Sequence, residues 1–478
     1  MTTNYLKYMV FAGLLIVTSC KVSQTYKRPD LIPGHLYRDS LNGDNLNADS
    51  SRLNTDTTSM ADLPWRSLFA DTVLQNLIQE GIDNNLDLRT AVLKIAESQA
   101  TLRQAKMAYF PTLDAGMQVT KAKSSQAALN FPTGIGINLN TTTYQASLTA
   151  SWEINIWGQL SSLKRQALAN FLQSDASKRA VQTQLIADIA NNYYALLAYD
   201  QQLEITRQTV TNRISDVETM KTLKENAVVN GAAVVQSEAN RYAAEVSIPD
   251  LKQSIRETEN ALCILLARAP GPVKRNTLTD QQPVTALKEG LSTQLLRNRP
   301  DVQASELAFR SAFENTNVAH SYFYPTLTIT AEGGISTLQL KSLFDHSIFY
   351  NLVGGLTQPI FNRGQNRARY QIAKAQQLEA FNTFQASILT AGQEVSNALY
   401  AYQTGASKQA TRQLQLEALQ KSVAFTKELL RYSSATNYTD VLTSEQSLLS
   451  AQLSGINDRL QQLQATVNLY RALGGGWK

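Results

Sequence analysis

A helix-to-strand unit that occurs twice is the feature that most constrains the fold of this chain. The first copy, residues 86–113, begins as a polar-capped helical pattern, stops at Pro111 and continues as alternating residues. In the second copy, Asp301 and Pro325 stand 214 residues after Asp87 and Pro111. Because the register holds across the whole unit, the sequence predicts two structural halves that follow the same path.

Alternating apolar and polar residues predict four β-strands, one hairpin in each half. They cover residues 113–120, 144–154, 327–335 and 348–358. Strands of this kind suit either a soluble sandwich or a transmembrane β-barrel, and the pattern alone does not choose between them. Membrane barrels need about eight strands or more, so several chains would have to pool their strands. Asp114, Glu153 and Glu332 all fall on the polar set, which predicts that this face lines a lumen.

The first twenty residues have the pattern of an export signal. An apolar run over residues 9–17 is too short to span a bilayer. It leads into VTSC, which resembles a bacterial lipobox and predicts that Cys20 is acylated; an ordinary signal peptide with an incidental cysteine is the alternative. By resemblance to lipoprotein sorting, Lys21 after the cysteine favours the outer membrane. Residues 21–63, rich in Asn, Asp, Ser and Thr, predict an extended tether.

Two long helix pairs account for most of the remaining chain. Residues 159–230 contain no Gly or Pro and predict one long helix, followed by a returning helix over residues 232–269 that Pro249 should kink. Residues 365–432 and 439–473 repeat this arrangement. Apolar residues recur at coiled-coil spacing in both pairs, which predicts the wall of a long tube or a stalk.

These elements divide the chain into four parts. Near the start of the first repeat, Pro64 and Trp65 open a predicted short amphipathic helix that runs to about Gln79. The predicted parts are a signal peptide with its lipobox at residues 1–20, the tether at 21–63, a first repeat at 64–285 and a second repeat at 286–478.

The sequence offers no recognisable catalytic, metal-binding or nucleic-acid-binding motif. The formal net charge is only +5 over 478 residues, and the basic residues are scattered, so nucleic-acid binding is unsupported. The three histidines have no partners at ligand spacing. Cys263 lies in an apolar helical run and is expected to be a small buried hydrophobe. No cofactor and no enzymatic activity are expected, so the energy for any transport must come from a partner.

The order of helix, hairpin and long helix pair, given twice, resembles the outer-membrane factor family of TolC-like efflux ducts, in its lipoprotein branch. Four motifs carry this resemblance, and together they are highly specific. They are WEINIWG at residues 152–158, RPDV at 299–302, PIF leading to Gly364 at 359–364, and YRALGGGW at 470–477.

The resemblance implies a mainly α fold with a transmembrane β-barrel. Three chains would each contribute four strands to a barrel of twelve, continuous with a periplasmic α-barrel of antiparallel coiled-coil helices. A periplasmic adaptor protein and an inner-membrane pump of the RND type would dock at the helix tips, where an iris-like closure opens. The expected function is a passive outer-membrane exit duct for small molecules or drugs, with a role in multidrug resistance.

The resemblance also implies a constriction at the start of the last helix. This chain has Asp440 there, Thr439 beside it, and Thr443 where related ducts often carry a second Asp. Three Asp440 carboxylates facing a lumen would repel one another and attract cations. The alternative is an ordinary acidic residue favoured by the helix dipole, and the two uses are compatible. Arg431 and Tyr432 could latch onto the neighbouring helix pair or be simply solvated.

Two other functions fit the same sequence. A duct of this architecture could serve type I protein secretion, powered by an ATP-driven exporter. A lipid-anchored coiled-coil scaffold or adhesin would need no pore. The lipobox and the GGGW ending favour small-molecule efflux by resemblance alone. In either duct, Pro111 and Pro325 would mark the points where helix gives way to membrane strand.

Overall fold

The computed structural model describes residues 22–30, 36, 59–125, 139–282, 295–432 and 438–478. These ranges contain four strands: β1, Thr112–Lys123; β2, Asn140–Ile154; β3, Thr326–Thr337; and β4, Ile348–Thr357. They also contain nine α-helices: α1, Trp65–Leu68; α2, Thr72–Asn84; α3, Leu86–Met107; α4, Gln159–Glu225; α5, Gly231–Leu265; α6, Leu295–Asn298; α7, Pro300–Ser321; α8, Gln365–Tyr432; and α9, Tyr438–Ala472. Short 3-10 helices cover Met60–Asp62 and Leu340–Ser342.

The predicted strands and long helices are present close to their predicted bounds. Helices α3 and α7 have 22 residues each, and strands β1 and β3 have 12 each. Both α7 and β3 begin 214 residues after α3 and β1, as the sequence spacing predicts. The internal structural repeat itself stays a prediction.

These elements form two compact units. The first comprises the described parts of residues 22–29, 96–173 and 306–383, and it contains the whole sheet. The second comprises the described parts of residues 30–95, 174–305 and 384–478. Helices α3, α4, α7 and α8 therefore contribute residues to both units.

The sheet of the first unit has the order β1-β2-β3-β4, with every neighbouring pair antiparallel. Asp114 on β1 lies opposite Thr149 on β2, and Thr149 lies opposite Glu332 on β3. Glu153, four residues further along β2, is on the same face. The side chain of Gln145 donates to Glu332 across this face at 3.0 Å. The predicted polar face is therefore confirmed.

The opposite face of the sheet is apolar along most of its length. Met117 is 92% exposed and Leu148 is 55% exposed on this face of the single chain. Within the described part of the chain, these apolar side chains are thus exposed.

Gly334 lies where a Cβ atom would come within 2.1 Å of the Ala146 carbonyl oxygen, so only glycine allows this close approach of β3 to β2.

Two helix-to-strand junctions lie beneath the sheet in the first unit. Pro111 ends the connection from α3 to β1, and Pro325 ends the connection from α7 to β3. The two tryptophans of the WEINIWG motif hold these junctions. The indole of Trp152 donates to the Tyr109 carbonyl at 2.9 Å, and the indole of Trp157 donates to the Pro325 carbonyl at 2.7 Å.

The described start of the predicted tether is bound to α7. Gln24 exchanges two hydrogen bonds of 3.0 Å with the Asn317 amide, one from its backbone N–H and one to its carbonyl. Tyr26 packs edge-on against two phenylalanine rings of α7. Arg28 donates from Nε to Glu306 at 2.7 Å. Residues 22–28 form neither helix nor strand, and they lie along a helix surface because their side chains find partners there. The extended tether stays a prediction.

In the second unit the long helices bury their apolar stripes. The α4 stripe consists of residues at seven-residue spacing that are buried or half-buried: Ile189, Leu196, Leu203, Val210 and Val217. The corresponding stripe of α9 is buried or half-buried from Leu449 to Tyr470. Helix α5 continues as one element through Pro249. Cys263 is a buried free thiol, as expected of a small hydrophobe.

The prediction of one helix from Pro64 to Gln79 is wrong. The segment forms two helices, α1 and α2, because the Asp71 carboxylate accepts the Val73 backbone N–H at 2.8 Å and so starts a new helix. The other Asp71 carboxylate oxygen accepts the Tyr193 hydroxyl and the Gln281 amide, each at 2.7 Å. These hydrogen bonds lower the pKa of Asp71 even though burial acts in the opposite direction.

The RPDV and YRALGGGW motifs meet each other in the second unit. The Arg299 guanidinium donates to the Ala472 carbonyl at 2.9 Å, and the Trp477 indole donates to the Asn298 carbonyl at 2.9 Å. Gly474 has a φ of +89°, and a Cβ atom there would lie 2.4 Å from the Asn298 carbonyl oxygen. Only glycine fits this position. These motifs therefore fasten residues 472–477 to residues 298–299.

Candidate functional site at the helix tips

The ends of the four long helices form one cluster in the second unit. Met220 on α4, Val234 on α5, and Tyr438 and Val441 on α9 make a buried apolar core. Leu430, two residues before the end of α8, packs against it. The cluster thus contains residues from both predicted helix pairs.

The three residues of the predicted constriction lie on the outward face of this cluster. Thr439, Asp440 and Thr443 are exposed, whereas Tyr438 and Val441 on the same helical turn are buried. The Thr443 hydroxyl donates to the Thr439 carbonyl at 2.9 Å, one turn back along α9. The start of α9 therefore presents a small polar surface with one carboxylate.

The predicted latch residues stand at the end of α8. Tyr432, its last residue, is 82% exposed. The side chain of Arg431 and residues 433–437 lie outside the described part of the chain. Asp440 falls in the first turn of α9, where the helix dipole favours a carboxylate. Asp440 can therefore stabilise this helix whether or not it also lines a constriction.

A charge cluster joins α4, α8 and α9 beneath this surface. The Lys427 ammonium lies 3.3 Å from the Asp216 carboxylate and also pairs with Glu445. Only 18% of the Asp216 side chain and 13% of the Glu445 side chain are exposed, against 36% for Lys427. Among the described side chains, Lys427 is thus the cation that pairs with both of these largely buried carboxylates, and the three groups together carry one excess negative charge when all are ionised.

This environment shifts the pKa of Glu445. Burial raises the pKa of its carboxyl group, and the Asp216 charge adds to this effect against the opposing hydrogen bond from Lys427. The folded protein therefore holds the Glu445 proton more tightly than the unfolded chain does. The resulting contribution to stability is present below the ordinary carboxyl pKa and is lost as pH rises through the raised value.

Hydrogen bonds outside the charge cluster add further links between the helices. The Tyr438 hydroxyl on α9 donates to Ser237 on α5 at 2.6 Å, and burial raises the pKa of this phenol. The buried Arg213 guanidinium on α4 donates to Gln446 on α9 at 2.8 Å and to the Asn240 carbonyl on α5. Each helix pair is thus bonded to the other by polar contacts as well as by the apolar core.

Other predicted residues lie away from this cluster or outside the described ranges. Cys20 and His35 are not among the described residues. His320 packs among aromatic rings in the first unit, and His346 lies 3.5 Å from the Asp345 carboxylate. In the described parts of the chain, no three His, Cys, Asp or Glu side chains are grouped to hold a metal ion. No helix there has both the length and the apolarity needed to cross a bilayer.

Residues 77–268 and 291–475 match the profile of the outer membrane efflux protein family. The chain belongs to this family. A toluene efflux pump outer membrane protein of Pseudomonas putida, TtgF, is 30% identical over 486 residues, which cover 100% of this chain and 98% of the relative. The cation efflux system protein CusC of Escherichia coli O157:H7 is 27% identical, with 99% of each chain covered. A crystal structure of CusC superposes with a TM-score of 0.82 at 26% identity, over 96% of this chain and 100% of that one.

The family assignment confirms the resemblance drawn from the motifs, and the chain is accordingly an outer-membrane efflux protein. Its fold is mostly helical with one four-stranded sheet, like that of the solved channel. Three of the motif residues, Trp157, Arg299 and Trp477, make hydrogen bonds that hold the fold. The motifs therefore identify the family through its architecture.

The charge cluster was missed by sequence reasoning. Lys427, Asp216 and Glu445 come from three helices, and the first two are 211 residues apart. A sequence signal exists only for the neighbouring contact of Arg213. Gln446 takes the next stripe position before Leu449 in α9, and a polar residue there breaks an apolar series at the place where Arg213 binds.

We predict that Lys427→Met destabilises the helix tips by about 1–3 kcal/mol at pH 7.5, because it leaves two carboxylates without their shared cation. Lys427 is partly exposed, so the loss should be smaller than for a fully buried ion pair. The loss should be smaller at pH 5 than at pH 7.5, because the raised pKa of Glu445 lets it take up its proton at a higher pH than an ordinary carboxyl group does. The measurement is thermal unfolding followed by circular dichroism at both pH values. Lys421→Met, an exposed position on the same helix, is the matched control and should stay within about 0.5 kcal/mol. Equal melting of both variants at both pH values would contradict a structural role for the cluster.

Proposed function

We propose that three copies of this chain form the passive exit duct of a tripartite efflux system. The duct would carry small molecules from an inner-membrane RND-type pump and a periplasmic adaptor protein across the outer membrane. Each chain would supply one third of a closed barrel and one third of a helical tube. The observation that carries this proposal is the two-faced, four-stranded sheet with both of its edges open.

The open edges require other copies of the chain. Within the described residues β1 pairs only with β2, and β4 pairs only with β3. The hydrocarbon core of a bilayer has no water to satisfy the free N–H and C=O groups of a strand edge, so a sheet with open edges is unstable there. Joining β4 of one chain to β1 of the next removes every edge. Three chains give twelve strands, an even number within the range of known membrane barrels. The choice of three chains rests on the family resemblance.

The two faces of the sheet set its orientation in such a barrel. Asp114, Glu153 and Glu332 share one face, and a charge turned toward lipid near the midplane could cost about 2–4 kcal/mol. The other face carries exposed apolar side chains such as Met117 and Leu148. The polar face therefore lines the lumen and the apolar face meets lipid.

We propose that the three copies of Asp440 form the constriction at the periplasmic helix tips. Thr439 and Thr443 extend the same surface. Because this chain has Thr443 in place of a second Asp, its constriction would be less acidic than one lined by two rings of aspartates. Arg431 and Tyr432 are proposed to contact the neighbouring helix pair in the closed state. The charge cluster of Lys427 would hold the two helix pairs of one chain together beneath the ring.

We propose no catalytic role for the chain, so the pump supplies the energy of transport. The relatives named for toluene and cation efflux support small-molecule transport over type I protein secretion. A lipid-anchored scaffold without a pore is the competing function of a different class. A conductance measurement distinguishes this scaffold from both kinds of duct, because the scaffold would form no channel.

We predict that purified protein forms channels in planar bilayers and that Asp440→Ala raises their conductance, because it removes a ring of repelling, cation-binding carboxylates from the narrowest point. Asp440→Asn should raise conductance and lower cation selectivity at nearly constant side-chain size, whereas Asp440→Glu should behave like the natural protein. Thr443→Asp should lower conductance by adding a second acidic ring. No channels in any variant would overturn the duct, and unchanged conductance in Asp440→Ala would overturn the ring alone.

We propose that Cys20 carries the lipid anchor of the mature protein, since the lipobox precedes it and a relative from Salmonella typhimurium, SilC, is named a probable outer membrane lipoprotein. The mass of the mature N-terminal peptide from membranes should equal that of a chain that begins at Cys20 with attached acyl chains. Cys20→Ser should abolish the added mass. A mature chain with an unmodified Cys20, or one that begins elsewhere, would refute the anchor.

A further inference from the structure

A hollow on the apolar face of the sheet has a basic pair above it. The hollow has a volume of about 490 Å³ and is lined by residues of β1, β2 and β3. Its lining includes both residues of two successive cross-strand rows on the apolar face, Ala115 with Leu148 and Met117 with Ala146. The residues between these rows have their side chains on the other face, so the hollow opens on the apolar side.

Small side chains create the hollow, and larger ones form its walls. Ala115, Ala146 and Gly333 leave the space, while Met117, Leu148 and Ile335 border it. Met117 is 92% exposed, so the described part of the chain leaves it almost uncovered. Apolar side chains around an apolar floor suit a hydrocarbon chain.

The apolar face ends in lysines at the far end of β1. Val119 lies opposite Tyr144 in the last row that is apolar on both strands. Beyond that row, on the same face, Lys121 and Lys123 are exposed and lie opposite Thr142 and Asn140. Neither lysine has an acidic residue opposite it on β2, and none of the acidic residues of the described strands is on this face.

From these observations we propose that the hollow and the Lys121–Lys123 pair together bind a phosphate-bearing lipid of the outer leaflet. The acyl chain would lie in the hollow and the headgroup phosphate would contact the two ammonium groups. This inference rests on the proposed barrel, in which the apolar face meets lipid and the Lys123 end of β1 lies away from the periplasmic helices.

The dimensions and charges of the site fit this ligand. Lys121 is four positions after Met117, about 13 Å along a strand, and one fatty acyl chain with its headgroup can span this distance. Tyr144 marks the interface between the apolar band and the polar end, where membrane barrels carry aromatic girdles. Each lysine close to an anionic membrane surface adds favourable binding energy, and the two here are adjacent on one face.

The test is native mass spectrometry of the purified oligomer with diphosphoryl lipid A as the probe. The natural protein should retain bound lipid A, and Lys121→Ala/Lys123→Ala should bind it about tenfold or more weakly. Lys341→Ala, in the exposed connection from β3 to β4, is the matched lysine control and should bind within twofold of the natural protein. Lipid A stripped of its phosphates should bind the natural protein as weakly as the double variant binds the intact lipid.

A second pair of variants tests the hollow. Ala146→Leu fills it and should weaken lipid A binding severalfold. Ala150→Leu lies on the same face of the same strand outside the hollow, and it should leave binding unchanged. Inorganic phosphate at millimolar concentration should not displace lipid A, because phosphate alone cannot occupy the hollow; displacement would show a free-phosphate site and overturn the lipid proposal.

Planar-bilayer conductance keeps this inference distinct from the duct itself. Both lysine variants and both alanine variants should conduct like the natural protein, because they lie on the lipid face. Equal lipid A binding by the natural protein and the double lysine variant would overturn the lipid site while leaving the duct intact. Absence of conductance in every protein, with lipid A still bound through the lysines, would overturn the duct and retain the lipid site.

Discussion

The need to satisfy backbone hydrogen bonds at the sheet edges governs the rest of this molecule. One chain supplies four strands with one polar and one apolar face and leaves two edges free within its described residues. In hydrocarbon each unsatisfied edge group costs several kcal/mol. Assembly is therefore a condition of membrane insertion for this sheet. Gly334 and the two tryptophan anchors then fix the approach of the strands and their junctions with the helices.

A second constraint acts in the unit that contains the helix tips. Long apolar stripes specify that the helices pack, but a smooth stripe specifies register weakly. The polar contacts of Arg213, Lys427 and Tyr438 each join particular residues on different helices, so they select one alignment. The Lys427 contacts also make the tip responsive to charge, because this lysine pairs with two carboxylates.

Much of the fold could be predicted from the sequence because its periods are long and regular. The alternation of apolar and polar residues in β1 to β4 predicted both hairpins and the polar face of the sheet. The seven-residue spacing of apolar residues in α4 and α9 predicted the buried stripes. The helix break at Asp71 was missed because the apolar pattern continues through it. The Asp71 carboxylate accepts two backbone N–H groups and so starts a new helix in spite of that pattern. The Lys427 cluster was missed because ion pairs between distant helices leave no periodic trace. The outward face of Asp440 depends on which neighbours are buried, so only the structure reveals it.

Cross-linking between neighbouring sheets tests most directly whether other copies close the barrel. A cysteine at Leu352 on β4 is combined in turn with a cysteine at Ala115, Met117 or Val119 on β1, all on the apolar face. A disulfide needs Cα atoms about 4.4–6.8 Å apart, so it forms only between strands in register. If β4 of one chain pairs with β1 of the next, at least one combination yields linked species of up to three chains in cell membranes, and no single cysteine does so. If membrane-inserted chains yield no linked species from any combination, the closed multichain barrel is wrong.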